Sequence, residues 1–348
     1  MRFLEHQRSA RQATSRLLLA FGLTVLLLLT AVNGGLMLVW WALSHLLHSR
    51  QTYLPPFFFQ VNTGLVLLFV FGGWWIESSN LSRGGAAIAR RCGARELLLD
   101  DQHPTEVRLR NTVHEMTVAA GMPMPAVMVL PRQWAINAFA AGLEPRQAAI
   151  AVTDGALDAL TREELQGLVA HELSHIAEGD TRLNTRLAGM VFGLEMVFRF
   201  GQALAQIRAD ERGSAMRALF GLPVMIVGSA GWVAGRLLCA AVSRQREFLA
   251  DARAVQWTRN PAGLGGVLLK ISSQQFRQQD GASPFVEDDA DDDTLWDVDA
   301  YMRQQPMITH MLLAEPLTQG WQHRLEHWFS SHPPLDERIR RIYGYMPA

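Results

Sequence analysis

Between Leu17 and Leu47 the chain carries no Asp, Glu, Lys or Arg, and the first half of that run, LLLAFGLTVLLLLTAV, is dense in Leu and Val. About 20 apolar residues suffice to carry a helix across a bilayer, and a helix satisfies its own backbone N–H and C=O groups in lipid. A second uncharged run, FFFQVNTGLVLLFVFGGWWI, extends from Phe57 to Ile76. It ends on Trp74 and Trp75, as Trp40 and Trp41 lie toward the end of the first, where indoles favour the membrane–water interface. Pro55 and Pro56 interrupt the chain between the runs, so residues 1–80 read as a transmembrane helical hairpin. A cleaved signal peptide fits less well, because the apolar stretch is too long and no small-residue cleavage site precedes a polar segment.

Arginines set the expected orientation. Arg2, Arg8, Arg11 and Arg16 precede the first run and Arg83, Arg90, Arg91 and Arg95 follow the second, whereas the connecting loop holds only Arg50. Basic flanks stay cytoplasmic, which places the N-terminus and everything after residue 80 on the cytoplasmic side of a bacterial inner membrane. Two later stretches are ambiguous. Leu187 to Ala205 includes Glu195 and Arg199, spaced to pair on a helix, and Ala218 to Gly235 is uncharged but contains Pro223. Residues 187–242 thus read either as a second membrane hairpin or as a buried helical pair.

The composition agrees with an anchor joined to a globular domain: 49% of residues are hydrophobic and 19% charged. A formal net charge of −1 shows no global bias toward nucleic acid, and none is expected as a partner. The two cysteines, Cys92 and Cys239, form no CxxC pair and read as packing residues.

After the anchor, residues 101–120 show apolar residues at helical spacing, and Ala126 to Leu130 form the apolar centre of a strand bounded by prolines. Asn137 to Gly142 and Ala148 to Leu157 suit adjacent strands. Thr161 and Glu164 then make a T-x-x-E capping box that opens a helix running to about Gly179. From Pro284 to Asp299 the chain turns strongly acidic, which reads as a solvated insertion; the calcium-loop pattern is missing.

The capped helix contains HELSH, His171 to His175. Residues i and i+4 share one helix face, so both imidazoles can reach one ion, and zinc accepts nitrogen ligands in tetrahedral geometry. Glu172 stands beside the first histidine, where it can accept a proton from water. A catalytic zinc needs a third protein ligand and one open position. Glu247 and Asp251 in SRQREFLADARA are again four apart: one could bind metal while the other orients a histidine, or both could make ordinary salt bridges. His332, before Pro333 and Pro334, could be an oxyanion donor, a further metal ligand or a surface residue.

Four segments, NAFAAG, TREELQGLVAHELSHIAEGD, SRQREFLADARA and SSHPPLDERIRRI, occur together in this order. In them the chain resembles the HtpX-like family of membrane-bound zinc metallopeptidases, relatives of the CAAX prenyl endopeptidases. The resemblance implies one zinc ion per chain, bound by His171, His175 and Glu247, with Glu172 as general base. It places Asp251 behind the ligands, Asn137 and His332 in the active-site cleft, and Arg338 in a structural role or one that positions His332. The expected fold is mainly α: the N-terminal hairpin, then an α+β zincin-like peptidase domain over 81–348 with a small sheet and the HExxH helix. The expected function is endoproteolysis of unfolded or damaged membrane proteins, with selective CAAX-type or regulatory processing, or an inactive membrane scaffold, as alternatives.

Overall fold

The computed structural model describes residues 2–46, 53–98, 103–206, 213–279, 313 and 332–345. The acidic stretch 284–299 lies outside the described residues. The chain is mainly helical and divides into two units: residues 1–79 with 186–238, and residues 80–185 with 239–348.

The first unit is built from α1 (Arg2–Leu46), α2 (Phe58–Leu81), most of α7 (Asp180–Ala205) and the first half of α8 (Ser214–Thr258). Val25, Leu28, Val32 and Leu36 of α1 pack with Val66 and Val70 of α2, Leu194 and Val197 of α7, and Val224 of α8. The outer faces are apolar as well: Leu38 is 64% exposed, Leu68 65% and Trp75 68%. A helix apolar inside and outside is one whose surroundings are lipid. Among the described residues four helices, Leu19–Leu46, Phe58–Leu81, Asp180–Ala205 and the one beginning at Ala215, are long and apolar enough to cross a membrane. Small residues let them pack closely: a Cβ on Gly193 would run into the Val70 carbonyl oxygen.

In the second unit, β1 (Arg95–Glu96), β2 (Ala126–Leu130), β3 (Ala138–Ala141) and β4 (Ala149–Thr153) form a mixed sheet in the order β1-β2-β4-β3. β2 and β4 are parallel, and the other pairings antiparallel. Val127, Val129, Ala138, Ala140, Ile150 and Val152 share a core with α4 (Pro104–Ala120), α6 (Arg162–Glu178) and α9 (Pro261–Gln279). α3 (Gly85–Arg91) packs against β3 and β4 and buries Ile88 and Ala89. β4 stops at Thr153, short of the strand-like run expected to Leu157. The Thr153 hydroxyl accepts a bond from the Ala156 N–H and caps α5 (Asp154–Ala159).

α6 starts as its sequence requires. Thr161 Oγ1 accepts from the Glu164 N–H, and the Glu164 carboxylate accepts from the Thr161 N–H at 2.7 Å. Leu165, Leu168 and Leu173 of α6 are fully buried in the core, and Gly179 ends the helix in the left-handed conformation, φ 74°.

Candidate metal centre

Burying one face of α6 also buries what lies on it: His171 and Glu172 are 1% and 2% exposed. One helical turn sets His171 Nε2 3.1 Å from His175 Nε2. The C-terminal half of α8 brings Glu247 to them, with Oε1 3.3 Å from His175 Nε2 and Oε2 3.7 Å from His171 Nε2. One atom each from His171, His175 and Glu247 thus lies within 4.8 Å of the others.

The other ring nitrogens decide what these atoms offer. His171 Nδ1 lies 3.0 Å from Asp251 Oδ1, and His175 Nδ1 bonds Asp180 Oδ2 at 3.0 Å. A carboxylate at Nδ1 keeps the proton there and leaves the Nε2 lone pair facing inward. Two imidazole lone pairs and a carboxylate then point at one another in a buried space, an arrangement that calls for a cation. Ligand nitrogens around a tetrahedral zinc lie roughly 3.3 Å apart, given bonds of about 2.0–2.1 Å. The distances of 3.1, 3.3 and 3.7 Å bracket that spacing. The donor set of two histidines and a glutamate fits zinc and leaves a fourth position for water or substrate.

Charge gives the same answer. Glu172, Asp180, Glu247 and Asp251 are all buried, and the guanidiniums paired among them are those of Arg338 and Arg246. These buried acidic side chains outnumber the guanidiniums among them, which leaves the site short of positive charge that a bound cation would supply. Burial pushes the Glu172 carboxyl up to about 7, into the range of a group that exchanges protons near neutrality. Burial also lowers the pKa of His171, against the pull of Asp251, whereas at His175 burial is outweighed by the Glu247 carboxylate and the pKa is raised.

Arg338, on α10 (Leu335–Tyr343), is 0% exposed. It donates through Nε and Nη2 to Asp251 at 2.9 and 2.7 Å, and its Nη1 lies 3.2 Å from Glu247 Oε2. His332 Nδ1 is 2.8 Å from the same Glu247 oxygen. Of the residues singled out from the sequence, His171, Glu172, His175, Glu247, Asp251, His332 and Arg338 therefore come together. Asn137 lies at the head of β3, where its Oδ1 accepts from the Ala138 N–H and its own N–H donates to Thr153 Oγ1. The outer edge of β3 is engaged as well, since the Leu313 N–H donates to the Ala138 carbonyl at 2.9 Å. Sequence reasoning missed Asp180. Its one signal was a carboxylate directly after the glycine that stops the HELSH helix.

Comparison with known proteins shows the family to which the chain belongs. Residues 104–345 match the family described as peptidase family M48. A protease HtpX homolog of Tropheryma whipplei (strain Twist) is 34% identical over 254 residues, which are 72% of this chain and 75% of the relative. One from Dictyoglomus turgidum is 33% identical over 234 residues, covering 67% and 68%. One from Streptococcus thermophilus is 31% identical over 287 residues, covering 80% and 85%. Among solved structures, the crystal structure of S. mikatae Ste24p aligns with a TM-score of 0.43 at 13% identity, over 94% of this chain and 66% of that one.

Proposed function

The chain belongs to peptidase family M48 and is a membrane metalloprotease, and we propose that it is a zinc endopeptidase acting on unfolded or damaged membrane proteins from the cytoplasmic side. The observation that carries this reading is the inward convergence of His171 Nε2, His175 Nε2 and the Glu247 carboxylate. In the proposal these three hold one zinc ion. Zinc, when bound, would supply Lewis acidity that polarises the scissile carbonyl and makes water a better nucleophile near neutral pH.

The protein groups do the rest. Glu172, with its raised pKa, takes a proton from the attacking water and later delivers it to the leaving amine. His332, beside Glu247, donates toward the oxygen on which negative charge develops, and Asn137 is the second candidate for that task. Asp251 and Arg338 hold the site from behind. Substrate lies extended along β3, where backbone hydrogen bonds give affinity with little demand on sequence, as unfolded substrates require. Because Leu313 already bonds Ala138, such a substrate either displaces it or aligns with the strand beyond Ala138. The arginines flanking the first two spans support a cytoplasmic site.

The test is cleavage of an unfolded protein by the full chain purified from membranes with zinc, beside Glu172→Gln, with metal content measured on both. The proposal expects the wild type to cut. The variant should keep its zinc and lose at least about two orders of magnitude in kcat, the lower range for a general base. Zinc in both with cleavage by neither would favour a narrow processing substrate, and a chain without zinc would reject the ligand set.

A further inference from the structure

We propose that Asp180 and Arg246 form a positioning relay for His175, the counterpart of the Asp251–Arg338 pair behind His171. The inference rests on the reading of His175 as a metal ligand and adds two residues to that site. Asp180 is 2% exposed and accepts from His175 Nδ1 at 3.0 Å, while its other oxygen pairs with Arg246. The order imidazole, carboxylate, guanidinium is the order found on the other side, where His171 meets Asp251 and Asp251 meets Arg338. The Asp180 carboxylate favours the His175 tautomer that keeps its proton on Nδ1 and its lone pair on Nε2, and Asp251, 3.0 Å from His171 Nδ1, stands in the same place on the other ring.

The backbone is built for this contact. In an unbroken helix a residue five positions after His175 would lie roughly 140° around the axis from it, at 3.6 residues per turn. Gly179, in the left-handed conformation, ends α6 and lets α7 begin at Asp180 in a new direction. As the first residue of α7, Asp180 also sits at the positive end of that helix's dipole, which favours a buried carboxylate. Arg246 approaches from α8, one residue before Glu247, so the turn that presents the third candidate ligand also holds the support of the second. A carboxylate placed only for surface solubility would meet none of these conditions.

The experiment measures zinc affinity of the purified full chain by competition with a chromophoric chelator, together with the visible spectrum of the cobalt-substituted protein. Asp180→Asn should bind zinc about 10–100-fold more weakly, the usual loss when an outer partner of a ligand histidine is removed. Its cobalt spectrum should change, a readout that a loss of stability alone would not move. Arg246→Gln should weaken zinc in the same direction by a smaller factor, Arg246→Lys should restore part of it, and the double variant should be no worse than Asp180→Asn alone. Wild-type zinc affinity and spectrum in Asp180→Asn, or additive losses in the double variant, would overturn the relay while leaving the ligand set intact. A wild type that binds no zinc would overturn the ligand set and the relay with it. Should Asp180→Asn fail to fold, the two Arg246 variants carry the same test, and wild-type affinity in Arg246→Gln overturns the relay.

Discussion

Arg338 shows how much of the site is decided by one side chain. Fully buried, it makes a two-bond contact with Asp251 and reaches Glu247, so it balances two carboxylates that are themselves buried. Removing one partner of such a cluster is far more costly than never having built it, because the other charges stay buried. Arg338→Met should cost about 3–5 kcal/mol in unfolding free energy. Arg338→Lys should recover only part, since an ammonium cannot reproduce the planar fork. Denaturant unfolding of the metal-free protein in detergent reads both, and a loss below about 1 kcal/mol, the surface-pair range, would contradict the buried-charge account. The sequence put Arg338 in a closing motif without showing what it touches, because 87 residues separate it from Asp251. HELSH was readable because helical geometry alone brings its two histidines together. Glu247 and Asp251 were readable as a pair but not as partners of particular histidines, since that assignment depends on how α8 packs beside α6.

At the scale of elements, the start of α6 was written locally and came out as written. Thr161 and Glu164 exchange both bonds of the capping box, and Lys270 of α9 adds an ion pair to Glu164 at 2.6 Å. Burial works to raise the Glu164 pKa, but Lys270 and Thr161 outweigh it and hold the carboxyl below its ordinary value. A depressed folded-state pKa means that the group stabilises the fold at pH values above its ordinary carboxylate range. That contribution is lost as pH falls through the folded value. Glu164→Gln should therefore lower stability at neutral pH by less than about 1 kcal/mol, for a partly exposed pair. The gap to wild type should close in acid, as thermal unfolding at several pH values would show; an equal gap at every pH would remove the charge from the explanation. Thr161→Ala should cost about 1 kcal/mol at neutral pH. The end of β4 was misread for a reason at the same scale. VTDGAL continues an apolar run, and only the Thr153 hydroxyl, acting as a cap, turns it into α5. Capping by one side chain leaves the periodicity of the run unchanged, so pattern alone extends the strand.

For the whole molecule, the open question in the sequence was residues 187–242, because Glu195 and Arg199 are costly in lipid. The structure answers the Glu195 part of that cost locally: Arg199 Nε and Nη2 lie 2.8 and 2.7 Å from one Glu195 oxygen, and Glu195 is 6% exposed while the Arg199 side chain stays half-exposed. Paired within the helix and turned inward, that carboxylate does not bar α7 from a membrane. α8 spans 45 residues, roughly 67 Å at 1.5 Å per residue, about twice the hydrocarbon thickness. Only its first half needs to cross, and its second half, which carries Glu247 and Asp251, belongs to the peptidase unit. If α1, α2, α7 and α8 all span, Gln206 and Gly213 must face the side of the membrane opposite the start of α1. Cys92 and Cys239 are both buried, so the natural chain offers little background to a membrane-impermeant thiol reagent. Gln206→Cys and Gly213→Cys, at the two described ends of the connection between α7 and α8, should then be labelled from outside intact spheroplasts, whereas Arg90→Cys, at an exposed position of α3, should react only after lysis. Labelling of all three only after lysis would return α7 and α8 to the cytoplasm as a buried pair. Reversed labelling, with Arg90→Cys reached first, would overturn the orientation read from the arginines and place the peptidase on the outer face.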